Sequence, residues 1–156
     1  MTQMLKVDKA FTPCPIRDGD ELFPNGVFEF NVTKILEYIE KNATDVDFAE
    51  IAVSDFCPEL SAINESHVES VDIFRPVVLA EISPGHYNLI DGHHRMEKAR
   101  RSGVDRVNAY KLTVLQHIAF LTTEKAYLCY VEYWNSKVRQ LRPVGKTEQQ
   151  RCTTAR

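Results

Sequence analysis

Tyr87-Asn88-Leu89-Ile90-Asp91-Gly92-His93-His94-Arg95 is the stretch on which the reading of this chain turns. Tyr87 and Leu89 alternate with polar or differently facing neighbours, the period of a strand. Asp-Gly then breaks the strand, since glycine reaches backbone conformations closed to other residues. His94 to Ser102 reads as a helix, stopped by Gly103 at the position after its end. Working upstream, Ser83-Pro84-Gly85-His86 is a hairpin turn, and Arg75-Pro76-Val77-Val78-Leu79-Ala80-Glu81-Ile82 is a strand rich in β-branched residues, opened by a proline. Downstream, Arg106 to Leu112 gives another strand. A hairpin, a helix and a returning strand predict an α/β fold of the α+β kind, a small mixed sheet with helices.

The turn is also where chemistry is expected. The first N–H groups of a helix lack partners and carry partial positive charge, so a helix opening directly after Asp-Gly makes a natural seat for phosphate. His93, His94 and Arg95 add donors beside it, and Arg95 can grip a phosphate through two parallel hydrogen bonds. Plainer roles exist for each: Asp91 as a helix cap, Gly92 as a turn glycine. The charges that follow, Lys98, Arg100 and Arg101, read most simply as a solvated face. Adjacent helical residues point in different directions, which argues against a metal shared by His93 and His94.

The remaining chain fits one domain. Its 156 residues carry 44% hydrophobic and 26% charged side chains and a formal net charge of −3, a composition able to bury a core and without the basic excess of a DNA-coating protein. Cys14, Cys57, Cys129 and Cys152 show no paired spacing, so free thiols are expected. The N-terminus has no apolar signal core and no run reaches the ~20 residues of a membrane span, which points to the cytoplasm and no membrane. Residues 1–45 read as an extension, with Phe23-Pro24-Asn25-Gly26 punctuating an irregular region and Asn31 capping a helix to Lys41-Asn42. Residues 46–113 form the core, beginning with a strand over Phe48–Val53, a turn at Cys57-Pro58-Glu59-Leu60 and a short helix over Asn64–Ile73 with Ile63, Val68 and Val71 in helical spacing. Residues 114–138 carry two helices, Leu115–Leu121 and Thr123 to about Lys137, and residues 139–156 form a polar, mobile tail.

From about Phe48 to Leu112, a little under half of the chain, the sequence resembles the ParB/sulfiredoxin superfamily: a Pro-Val strand (Pro76-Val77-Val78-Leu79), a hairpin, then Asp91-Gly92-His93-His94-Arg95 opening a helix. The resemblance implies a nucleotide (ATP, ADP or CTP) with its phosphates on Gly92, His93, His94 and Arg95. Sulfiredoxin activity needs a cysteine where this chain has His93, and partition-type ParB proteins carry Gly-Glu-Arg-Arg and a further DNA-binding domain. The DGHHR motif is most similar to the free serine kinase branch. That likeness implies a phosphotransferase or nucleotide hydrolase acting on a small hydroxyl substrate, with Glu59 as general base, Asp91 and His93 as catalytic residues, and Asp91 near a Mg2+ ion. Glu29 and Asp55 are weaker candidates for the base. Two other readings stand beside it: a ParB-like, DNA-associated nucleotide-binding module using Lys98, Arg100, Arg101, Arg106 and Lys111, and an interaction protein that keeps the fold without the chemistry.

Overall fold

The structure, a computed structural model, describes residues 3–56 and 64–141. Its N-terminal part is more ordered in plan than the sequence suggests. Strands β1 (Leu22–Asn25) and β2 (Phe28–Asn31) pair antiparallel, and Gly26 supplies the turn at φ +65°. Phe23-Pro24-Asn25-Gly26 is therefore most of a hairpin strand and its turn, not an irregular stretch. Pro24 is tolerated because β1 is an edge strand, and the alternation that drives pairing lies in β2, where Phe30 is fully buried. Helix α1 (Val32–Lys41) follows as expected. Asn31 caps it, its side-chain oxygen accepting the Lys34 N–H at 3.1 Å, and Val32, Ile35 and Ile39 face the core.

Four strands make the main sheet: β3 (Asp47–Ala52), β4 (Val77–Ser83), β5 (His86–Asp91) and β6 (Arg106–Leu112). Their spatial order is β3-β6-β4-β5, with β4 and β6 parallel and the two outer pairs antiparallel, so the sheet is mixed and the fold α+β. The apolar run Val77-Val78-Leu79-Ala80 that opens β4 has a physical cause: both of its faces are covered. Val78, Ala80 and Ile82 join a cluster with Ile35, Tyr130 and Trp134, whereas Val77 and Leu79 pack with Met96, Ala99 and Val107 on the other side. Pro76 stands just ahead of this interior strand, where its missing N–H costs no ladder bond. Helix α2 (Glu65–Ser70) is capped by Asn64 and buries Val68. Helix α3 (His93–Arg101) ends at Gly103, whose φ of +72° is the left-handed stop read from the sequence.

After β6, α4 (Val114–His117) runs into a 3-10 turn at Ile118–Phe120, and α5 spans Glu124–Leu141. Helix α5 runs through residues 139–141, which the sequence reading gives to the tail, and Val138 is buried near its end. The N-terminal extension is also no separate unit. Asn135 exchanges two hydrogen bonds with the main chain of Leu5 at 2.7 and 2.9 Å, Trp134 Nε1 donates to the Gln3 carbonyl at 2.9 Å, and Phe11 stacks on Tyr127 with ring centroids 3.9 Å apart. Residues 3–11 are thus strapped along α5. Cys14 and Cys129 are free thiols, while Cys57, Glu59, Leu60, Ile63 and Cys152 lie outside the described residues. Among the described residues no helix is long and apolar enough to cross a membrane.

Candidate functional site

Gly92 is the hinge of the site. Its φ of +102° belongs to the left-handed region, it stands at the N-cap of α3, and no side chain caps the helix. A Cβ here would lie 2.6 Å from Val77 Cγ1 and 3.0 Å from Arg95 Nη2, so the glycine serves close strand–helix packing as well as the bend. The first internal bond of α3 runs from the Met96 N–H to the Gly92 carbonyl at 2.9 Å. The amides of His94 and Arg95 precede it and have no acceptor within the helix.

This helix start opens on a cleft of about 640 Å3, within the ~300–1,000 Å3 of small-molecule sites. Asp91 to Arg95 form one wall, Glu21 to Pro24 of the N-terminal hairpin another, with His67 of α2 and Arg75 between them. Sequence reasoning missed the hairpin's share entirely. Nothing in the local pattern of Glu21 or Phe23 signals that they meet a turn so far along the chain.

Arg95 does not stand as an open fork. Its Nη2 donates to Asp91 Oδ2 at 2.8 Å and to the Pro76 carbonyl at 3.3 Å. The residue is only 9% exposed, and its Nε is buried without a hydrogen-bond partner. Nη2 is thus held by Asp91, because the turn brings residues four apart onto one side. Asp91 closes β5 and does not cap α3. One of its oxygens, Oδ2, faces the Arg95 guanidinium, and among the described residues no three His, Cys, Asp or Glu side chains gather as metal ligands.

The two histidines part company at once. The His93 ring lies nearly parallel to that of Phe23, centroids 5.7 Å apart and planes 21° apart. His94 Nε2 accepts the Asn64 N–H at 3.1 Å and meets the His67 ring edge-on at 4.6 Å. Burial, then the neighbouring His67 and Arg95, holds the His94 pKa below its ordinary value. The Glu21 pKa is shifted upward, first by partial burial of its carboxyl and then by the Asp91 charge.

Of the other candidates, Glu59 lies outside the described residues. Glu29 accepts a hydrogen bond from the Thr122 hydroxyl at 2.7 Å, a structural tie, and Asp55 does not line the cleft. The basic row reads differently in three dimensions. Glu97, fully buried, pairs with Arg100 and with Arg101, and Arg101 also binds Glu65 at 2.6 and 2.9 Å. Lys98 donates to the carbonyls of Glu69 and Val71 at 3.0 and 2.8 Å, Arg106 donates to the Glu50 carbonyl at 3.3 Å, and Lys111 sits over the Tyr87 ring. Lys98 and Arg101 thus fasten α3 to the α2 segment and are not a simple solvated face.

Comparison of the chain with protein-family models, with curated proteins and with solved structures finds no match.

Proposed function

We propose that this chain is a ParB/sulfiredoxin-like nucleotide-phosphate-binding protein whose phosphate seat is the start of α3, and that it works as a phosphotransferase or nucleotide hydrolase on a small hydroxyl substrate. One observation carries the reading. A helix N-terminus without a side-chain cap opens on a cleft, with the buried guanidinium of Arg95 beside it and the Arg95 Nε left without a partner. Unpaired amides and a nearby cation attract oxyanions without further machinery. Arg95 acts in this reading as a buried positive charge steadied by Asp91.

Transfer to a hydroxyl also requires a proton acceptor near the acceptor oxygen. Glu59 holds that role by resemblance. Glu21 is the second candidate, because it lines the cleft and accepts no side-chain hydrogen bond among the described residues. In the DNA-associated alternative the basic row is only partly neutralised: Arg100 and Arg101 pair with Glu97 and Glu65, whereas Lys98 and Arg106 donate to main-chain carbonyls and Lys111 sits over an aromatic ring.

Thermal melting in ATP, ADP, CTP and GTP, each with and without magnesium, tests the reading. A ligand that binds only the folded form raises Tm with concentration. The expected result is a rise for at least one nucleotide that Arg95→Ala abolishes in a protein still folded by circular dichroism. Equal nucleotide affinity in wild type and Arg95→Ala would remove the phosphate seat from α3.

A further inference from the structure

Resting on that phosphate reading, we infer that the N-terminal hairpin is the wall that recognises the base, so that the cleft takes a nucleoside phosphate and not a bare polyphosphate. The cleft has two chemically unlike sides. The α3 side offers amides, histidines and Arg95, suited to oxyanions. The hairpin side offers Leu22, Phe23 and Pro24, and Leu36 and Ile90 extend the apolar surface behind it. Bare phosphate has no use for such a surface, whereas a planar, weakly hydrated ring does.

Three features of the hairpin suit a base. Phe23 and His93 both line the cleft and are near-parallel rings stacked on one another with centroids 5.7 Å apart, so that a base would extend this aromatic shelf from an outer ring face. Base–aromatic stacking of this kind is sequence-tolerant and substantial. Secondly, β1 is an edge strand, paired with β2 on one side and with no strand on the other among the described residues. Its outer edge leaves main-chain donors and acceptors for the polar rim of a base. Thirdly, the hairpin is fixed in place. The Glu21 carbonyl accepts the Val32 N–H at 2.8 Å, and the Glu21 N–H donates to the Thr33 hydroxyl at 2.8 Å, which ties the start of β1 to α1. The shelf is therefore pre-formed, which limits the ordering cost of binding.

The test compares ATP with inorganic tripolyphosphate, which shares the anionic chain and lacks base and sugar, by isothermal titration on the full chain. Wild type is expected to bind ATP at least roughly ten-fold more tightly than tripolyphosphate. Phe23→Leu, which keeps an apolar side chain in the packing and removes the aromatic face, is expected to lose most of that preference while its tripolyphosphate affinity stays unchanged. Phe23→Ala serves as the stronger variant, used only where circular dichroism shows native structure. Equal affinities for the two ligands in wild type, or an equal loss of both in Phe23→Leu, overturns the base-reading role yet leaves the phosphate seat standing. Failure of both ligands to bind wild type overturns the two together.

Discussion

Asp91, the last residue of β5, holds Arg95, in the first turn of α3, through a 2.8 Å ion pair that spans Gly92 and is largely shielded from water. The pair locks the angle between strand and helix and sets the position of the one buried guanidinium in the cleft. It also places a carboxylate where an anionic ligand would approach. In the proposed phosphate reading, an incoming phosphate would compete with Asp91 for the same cation.

Replacing that carboxylate by its neutral isostere separates the two effects. Asp91→Asn is expected to raise affinity for inorganic tripolyphosphate by roughly three- to ten-fold, the consequence of about 1 kcal/mol less repulsion. It should cost about 1–3 kcal/mol of stability through the lost charged partner. Titration calorimetry and urea melts read the two quantities. A drop in anion affinity would mean that Asp91 acts by steadying Arg95, with competition negligible.

Gly92→Ala combines a left-handed φ with a Cβ 2.6 Å from Val77 Cγ1. We expect a loss of about 2–4 kcal/mol in folding stability. Adding Val77→Ala removes the Cγ1 contact and leaves Val77 Cβ at 2.9 Å together with the backbone strain, so the double variant should be more stable than the sum of singles by about 1 kcal/mol. Additive losses in a double-mutant cycle of urea melts would show that the Val77 Cγ1 contact does not set the requirement for glycine.

His117 is fully buried, with its Nε2–H donating to the Glu81 carbonyl at 2.6 Å and its Nδ1 without a partner. Burial pushes its pKa down to about 4, from an ordinary 6.5. The unfolded chain therefore binds a proton first as pH falls. Destabilisation begins near pH 6.5 and is complete below about 4, reaching at most about 3 kcal/mol. His117→Gln keeps an Nε2–H donor and cannot titrate, so its stability should fall less steeply over this window. Identical pH slopes for the two proteins would contradict a neutral buried imidazole.

The strap along α5 depends on Asn135, whose amide pairs with both main-chain groups of Leu5. Asn135→Ala should cost about 1–3 kcal/mol, since partly buried backbone groups lose their partners. It should also expose the first residues to limited proteolysis, with α5 itself intact. Unchanged cleavage rates near the N-terminus would show that Trp134 and Tyr127 hold the strap without Asn135.

What the sequence determined by itself was local. The strand–turn–helix around Asp91-Gly92, the cap at Asn31, the hairpin turn at Pro84-Gly85 and the stop at Gly103 were all legible, because side-chain period and turn chemistry act over a few residues. Tertiary structure decided the rest. It turned Phe23-Pro24-Asn25-Gly26 into part of a hairpin, placed Glu21 and Phe23 opposite α3, gave one arm of Arg95 to Asp91, and set Glu65 and Glu97 against Arg101. Apart from the β1–β2 hairpin and the Asp91–Arg95 and Glu97–Arg101 pairs, those contacts join residues far apart in the chain. Their energies come from burial and charge pairing that exist only once the sheet has brought the segments together, so no local pattern announces them.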